Sequence, residues 1–432
     1  MVNDIYIVAL DLGSSRFMGM IGQKKNNGGK LRILAKDSED SKDCMRRGRI
    51  INVEDAAMHI GKLIRKLENA ANKDNATGQR IKVEKVYIGV NGQSLHSIEH
   101  SEAKIINHGS TVTEEDMQIL KKQCNARVKR LKDDKVPVFS ILPPVYYLDG
   151  KETANPPGAT CRQFKASYKL IVGWHAIHAL PSEVVRKVGL ELADIIVSPL
   201  SLADIILSPE EKESGCILIH MDYGVTPISV YNNNSLVYFG VVPFGYNLIT
   251  QDLIKELNLT EEEAEELKNN YADLSESRDK KFGAIDYIIN GRKLDKHKAD
   301  IIIGARAREI VEHMYSLVKA EIQSKPFGGS IKLTGEASDL KGLDELISRC
   351  FKMEVLQAGL PWECKGMNTD ELTTISLLVK GTENCVKPFV PSPVMPPEDP
   401  KTGPDTEPNT GMATGTGVKS KLGNLFKGLF DA

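Results

Sequence analysis

The stretch Ile5-Tyr6-Ile7-Val8-Ala9-Leu10-Asp11-Leu12-Gly13-Ser14-Ser15-Arg16-Phe17-Met18-Gly19-Met20-Ile21-Gly22 decides how the rest of the chain is read. Its apolar run is a buried strand by pattern, Gly13 to Arg16 a tight turn, and Phe17 to Ile21 the returning strand. Gly13 allows a sharp bend in which successive N–H groups converge as an anion-binding nest, and Ser14 and Ser15 add hydroxyl donors. Asp11 closes the strand, where a carboxylate holds magnesium through its waters beside a phosphate. No helix follows the turn, and neither GxxxxGK[ST] nor GxGxxG is present there, so the P-loop and Rossmann readings fail. Taken by itself, the stretch fits either a phosphate loop or an ordinary Gly-Ser hairpin.

The same device returns farther along. Cys216-Ile217-Leu218-Ile219-His220-Met221-Asp222-Tyr223-Gly224 is again a buried strand closing on Asp-x-Gly, with Ile228 to Tyr231 returning. Two copies imply an internal duplication, hence two related lobes with a cleft between them. Ile331-Lys332-Leu333-Thr334-Gly335-Glu336-Ala337 is a third strand-then-glycine, whose bare Gly335 suits the edge of an adenine or ribose. His220 reads as a strand residue, since nothing spaced around it suggests metal or base chemistry.

Composition sets the limits. A chain of 432 residues forms two or more domains with substantial cores. A formal charge of -2 predicts no bulk attraction to nucleic acid, and none is expected as a partner. The first residues lack a basic region and the apolar run breaks at Asp11, which argues against a signal peptide or a membrane span. Seven scattered cysteines without a CxxC pair read as reduced thiols rather than disulfides or a zinc site.

Between these motifs, Asn52 caps a helix whose Val53, Ala56, Ala57, Ile60, Leu63, Ile64, Leu67 and Ala71 share one stripe. Thr113 to Asp116 opens another helix, and Thr260-Glu261-Glu262-Glu263 a third, both by capping boxes. Paired prolines at Pro143-Pro144 and Pro156-Pro157, with strands at Val145 to Leu148 and Phe164 to Val172, mark 84–173 as an inserted α+β unit. The expected organisation is a first lobe at 1–83 and 174–210 around that insert, and a second lobe at 211–245 and 301–385 around a small subdomain at 246–300.

Three strand-terminal turns in this order, Asp11 to Ser15, Asp222 to Gly224 and Leu333 to Gly335, resemble the actin, Hsp70 and sugar-kinase superfamily. Within it the chain is most similar to the bacterial cell-division FtsA family over essentially its whole length. The specific matches are Arg46-Arg47-Gly48-Arg49-Ile50-Ile51-Asn52, Val86-Tyr87-Ile88-Gly89-Val90-Asn91-Gly92 and Asn155-Pro156-Pro157-Gly158. The resemblance implies an α/β, actin-like (ribonuclease H-like) fold of duplicated lobes around a nucleotide cleft, with the FtsA-type inserted subdomain. It implies a protein that binds ATP with magnesium, polymerises on the cytoplasmic face of the membrane, tethers the C-terminal tail of the tubulin-like protein FtsZ at the septum and recruits other divisome components.

Carried over residue by residue, Asp11, Gly13, Ser14, Ser15 and Arg16 match the first phosphate loop, Asp222, Gly224 and Thr226 the second, and Gly335 and Glu336 the adenosine turn. Asp11 and Asp222 would hold magnesium through water. FtsZ binding would fall to 246–300. The departures are specific: Arg16 stands where lysine is frequent, and Glu336 where a second glycine is usual. Asp222-Tyr223-Gly224-Val225-Thr226-Pro227-Ile228 replaces the usual Asp-Ile-Gly-Gly-Gly-Thr-Thr-Asp and is about two residues short. Pro227 has no N–H to give and Val225 adds a Cβ, so hydrolysis is expected to be weak or absent and no catalytic base is assigned. An actin-fold ATPase or phosphotransferase and a pilus-assembly adaptor are the competing readings.

Residues 386–417, rich in Pro, Gly, Thr and acidic side chains, read as a disordered tether. At 418–432 the pattern changes: Val418, Leu422, Leu425, Phe426, Leu429 and Phe430 fall on one helical face, with Lys419, Lys421 and Lys427 on the remaining arc. That is an interfacial helix for anionic lipid, too short to span a bilayer.

Overall fold

The computed structural model describes residues 5–25, 31–73, 80–275, 286–324, 328–358 and 367–384. The tether and the amphipathic segment at 386–417 and 418–432 lie outside the described residues.

The opening stretch forms the hairpin Ile5–Leu12 and Arg16–Lys24, antiparallel from Ile5↔Lys24 to Leu12↔Phe17. Leu31–Asp40 pairs antiparallel beyond the second strand, while Lys85–Val90 lies parallel to the first and Glu191–Val197 parallel to that. The first strand is therefore central, and its apolar run up to Asp11 is what burial on both faces demands. Val8 and Leu10 face the helix Val53–Lys73 through Ile60, Leu63 and Leu67, and Ile7 and Ala9 face the other side. Asn52 caps the helix as expected, its Oδ1 accepting the N–H of Glu54 at 3.1 Å and of Asp55 at 3.3 Å.

The second sheet repeats this plan. Cys216–His220, Thr226–Asn232 and Ser235–Val242 run antiparallel in sequence, and Ile331–Thr334 and then Val355–Gln357 pair in parallel on the other side. Both halves are thus a three-stranded meander followed by two parallel strands, in the same order. The duplication suggested by a short Asp-x-Gly repeat is a repeat of whole topology. Helices Asn247–Leu257, Lys296–Ser324 and Leu343–Phe351 cover the second sheet with Ile249, Leu253, Ile310, Met314 and Ile347.

The insert is built on His96–Ile105 and Gln163–Val172, antiparallel along their full length. Its helix Glu114–Asp133 opens on the expected capping box, with Thr113 and Asp116 as the reciprocal pair, and lays Leu120, Cys124 and Leu131 against Phe164 and Tyr168. The strand His96–Ile105 is invisible to hydrophobic patterning because nearly every residue in it is polar or half-exposed. It also joins the insert to the second sheet, where His96 pairs with Gly240 and the Phe239 N–H donates to Ser97 Oγ at 2.9 Å.

One assignment made from sequence is overturned. Helix Thr369–Asn384 falls in the stretch given to the second lobe, yet Ile375, Leu377, Leu378 and Val379 pack on Ile7, Ala9, Met20 and Tyr87 of the first sheet. The first sheet has an apolar face that no nearby helix covers, and the last helix of the described chain supplies the cover.

Candidate functional site

The strand ends bring the sequence-predicted turns to one place between the lobes. Ser14 meets Gly224: a Cβ on Gly224 would lie 2.6 Å from Ser14 Oγ. Arg16 crosses from the first lobe to Glu336 in the second, at 2.7 Å, and also pairs with Asp370 of the last helix at 3.0 Å. Asn91, in the Asn91-Gly92 turn after the strand Lys85–Val90, donates from Nδ2 to Asp222 Oδ2 at 2.9 Å.

The first turn is anchored from behind. Ser41 Oγ donates to the Gly13 carbonyl at 2.7 Å, and the Ser41 N–H donates to the Ser15 carbonyl at 3.2 Å. Ser14 Oγ, buried, accepts the Gly48 N–H at 2.8 Å. Asp11 accepts a hydrogen bond from Ser198 Oγ at 2.5 Å, an approach that Gly89 permits, since a Cβ there would collide with both groups. Burial pushes the Asp11 carboxyl up to about 7; Ser198 opposes this, and the charges of Asp370 and Asp222 add to it.

The second turn is closed on itself. The Asp222 N–H donates to the Val225 carbonyl at 3.1 Å, and the Tyr223 N–H is taken by Asp222 Oδ1 at 2.6 Å. The carbonyls of Asp222 and Tyr223 accept the N–H groups of Tyr246 and Asn247, which ties the turn to the helix that follows. Thr226, expected at the site, is fully buried and donates its hydroxyl to the Phe244 carbonyl at 2.9 Å. It supports the turn and does not face the cleft.

At the third turn Gly335 has φ of 104°, and a Cβ would sit 2.3 Å from the Met221 carbonyl. The missing side chain makes room for the Met221 carbonyl just beyond the strand Cys216–His220. Glu336 follows as the hub of the cleft: besides Arg16 it accepts the hydroxyl of Tyr246, whose ring lies under Lys268 Nζ at 4.3 Å from the centroid. Burial, then the charges of Asp370 and Asp222, push the Glu336 carboxyl up to about 7 against the pull of Arg16. Asp222 and Asp370 are also pushed up, each chiefly by burial. Buried His220 is pushed down to about 4, as its place in the strand dictates.

Asn91, Ser198, Tyr246 and Asp370 complete the cluster and were not singled out from the sequence as site residues. Only Asn91 carried a local signal, its Asn-Gly turn. The other three come from elements whose position depends on the fold.

Beside the Ser14–Gly224 contact lies a cavity of about 300 Å³ whose cations are Lys42, Arg46 and Arg47. Lys42 is held by Glu261 at 2.6 Å and lies over the Tyr223 ring, and Arg47 lies over Phe244. A larger cavity of about 510 Å³ lies elsewhere, between the insert and both lobes near Leu142, Leu200 and Leu236, and none of the expected site residues lines it.

The fit of magnesium ATP is uneven. Asp11 and Asp222 are buried carboxylates, and Asn91, bonded to Asp222 through Nδ2, has an Oδ1 with no described partner; these groups suit a hydrated cation. On the second turn, phosphate donors are few. Asp222 and Tyr223 have spent their N–H groups, Pro227 has none, and Gly13, Gly224 and Gly335 all turn their bare sides to the chain's own atoms. These residues do not form a cradle for a triphosphate spanning both turns. Among the described residues, no group of three or more Asp, Glu, His or Cys has metal-binding geometry.

Two sheets of matching topology closing on a shared cleft define a protein of the actin-like class. A solved PilM–PilN type IV pilus biogenesis complex shares this fold at a TM-score of 0.58 with 15% identity, over 87% of this chain and 98% of that one. The family model described as cell division protein FtsA matches residues 217–375. FtsA of Porphyromonas gingivalis is 26% identical over 399 residues, 89% of this chain and 80% of that protein. FtsA of Pseudomonas aeruginosa is 25% identical over 393 residues, 87% of this chain and 89% of that protein. Within the actin-like class, the chain is similar to the FtsA cell-division proteins.

Proposed function

We propose that this protein is an actin-like scaffold of bacterial cell division that self-assembles on the cytoplasmic face of the membrane at the septum. It would link the C-terminal tail of FtsZ to that membrane and recruit further divisome proteins. The observation that carries the reading is the similarity to FtsA over more than four-fifths of the chain, on a fold of the matching class. The pilus-adaptor alternative rests on likeness of fold alone, at 15% identity. The ATPase or phosphotransferase alternative is disfavoured by a second turn in which the Asp222 and Tyr223 N–H groups are taken and Pro227 has none.

Attachment would come from the terminal segment. Among the described residues no helix is long and apolar enough to cross a membrane. Partial burial of Leu422, Leu425, Phe426, Leu429 and Phe430, less the cost of ordering the helix, leaves on the order of 5 kcal/mol for one tail. A single anchor of that strength is reversible, and several on one filament bind far more firmly, so assembly and attachment reinforce each other.

Co-sedimentation of the full chain with FtsZ, with and without anionic vesicles, tests the proposal. FtsZ should pellet with vesicles only when the protein is present and only when FtsZ keeps its C-terminal tail. Leu425→Glu or Phe426→Glu should abolish vesicle pelleting while the body stays folded. Recovery of FtsZ on vesicles irrespective of its tail would overturn the tethering role.

A further inference from the structure

The bare sides of the three cleft glycines are filled from within: Gly13 by the Arg16 carbonyl, Gly224 by Ser14, and Gly335 by the Met221 carbonyl. The cleft walls already carry four carboxylates, Asp11, Asp222, Glu336 and Asp370, and Arg16 is the cation paired with two of them. A triphosphate would add charge of the same sign to these walls, and it would compete for the Arg16 guanidinium, which joins the lobes through Glu336. Tyr246 adds its hydroxyl to Glu336 from the second lobe, so the hub has partners on both sides of the cleft.

We propose that the cleft of this chain is held shut by its own side chains, with Arg16 clasping Glu336 across the cleft and Asp370 on its own side in place of a bound nucleotide, so that closure does not depend on ATP. The inference rests on the actin-like reading of the fold and not on the division role, which the FtsZ and vesicle experiments address separately. It accounts for the substitutions together: arginine at position 16 and glutamate at position 336 are partners. Arginine serves better than lysine here because its fork engages two carboxylates at once, through Nη2 to Glu336 and Nε to Asp370.

Two measurements on the full chain test it. Equilibrium dialysis with magnesium ATP should give no saturable binding up to millimolar concentration, and amide exchange at 222–225 and 336–339 should be unchanged by the nucleotide. Saturable binding overturns the proposal, including binding in the neighbouring cavity lined by Lys42, Arg46 and Arg47. In the second measurement, Arg16→Ala should speed amide exchange in both segments by about three- to tenfold, as expected for losing partly exposed ion pairs. Arg16→Lys, which keeps a charge but loses the fork, should fall between. Arg16 is about half exposed, so both variants should fold. Exchange in Arg16→Ala identical to that of the unaltered protein overturns the clasp.

Discussion

The two hairpins at the cleft have the same topology, but their turns are tied down differently. In the first, Gly13-Ser14-Ser15 is anchored by Ser41 and Gly48 behind it. In the second, Tyr223-Gly224 is a tight turn whose backbone groups are bonded within the lobe, from Asp222 to Val225 and from Tyr246 and Asn247 back to the turn. The strand pairings that present the two turns are equivalent, so the difference lies in a few residues at the tips. Duplicated folds keep their sheets through core burial, while the tips are free to exchange ligand binding for self-contact.

The largest expected effect concerns the joint beneath the second hairpin. Gly335→Ala forces a Cβ onto the Met221 carbonyl and places alanine at φ of 104°. It should cost about 3 kcal/mol, read as a lower denaturant midpoint with an unchanged slope. Retention of full stability would show that Met221 and the third turn are not packed as described.

Next come the turn glycines themselves. Gly13→Ala meets backbone, the Arg16 carbonyl at 2.6 Å, whereas Gly224→Ala meets a side chain, Ser14 Oγ at 2.6 Å and Cβ at 2.7 Å. Gly13→Ala should cost about 2 kcal/mol and Gly224→Ala about 1 to 2 kcal/mol. Adding Ser14→Gly should recover part of the Gly224→Ala loss and none of the Gly13→Ala loss. A double-mutant cycle that shows no such coupling would break the contact between the hairpins.

The smallest effect is a pH dependence that separates the two aspartates' lobes. Native Asp11 holds its proton up to about pH 7, and its ordinary value is 3.8. Between those values the native state binds more protons than the unfolded chain, so this group's contribution to stability falls as pH rises from about 4 to about 7 and is level above. Asp11→Asn keeps an acceptor for Ser198 and removes the titration. It should stabilise the protein at pH 8 and leave it unchanged at pH 4. Parallel stability curves for the two proteins across that window would place the Asp11 burial in error.

Much of the fold was legible because its signals are local. The hairpin at Ile5–Lys24, the stripe on Val53–Lys73 and the capping boxes at Thr113 and Thr260 are each contained in a short run of residues. The strand His96–Ile105 was not legible, because a half-exposed strand without an apolar face lacks the alternation that reveals one. The last helix was assigned to the second lobe because it follows it in sequence. What it covers is decided by which sheet still has an open face.

The sequence by itself determined that two strand-turn-strand units recur, that an α+β unit interrupts the first, and that three glycine turns end their strands. Burial and backbone preference act over a few residues, so they leave a readable pattern. Only the tertiary structure decided what the turns face. Arg16 and Glu336, Asp11 and Ser198, and Asn91 and Asp222 stand 320, 187 and 131 positions apart. A glycine in a sequence shows that room is needed, and the folded chain shows that its own atoms take that room.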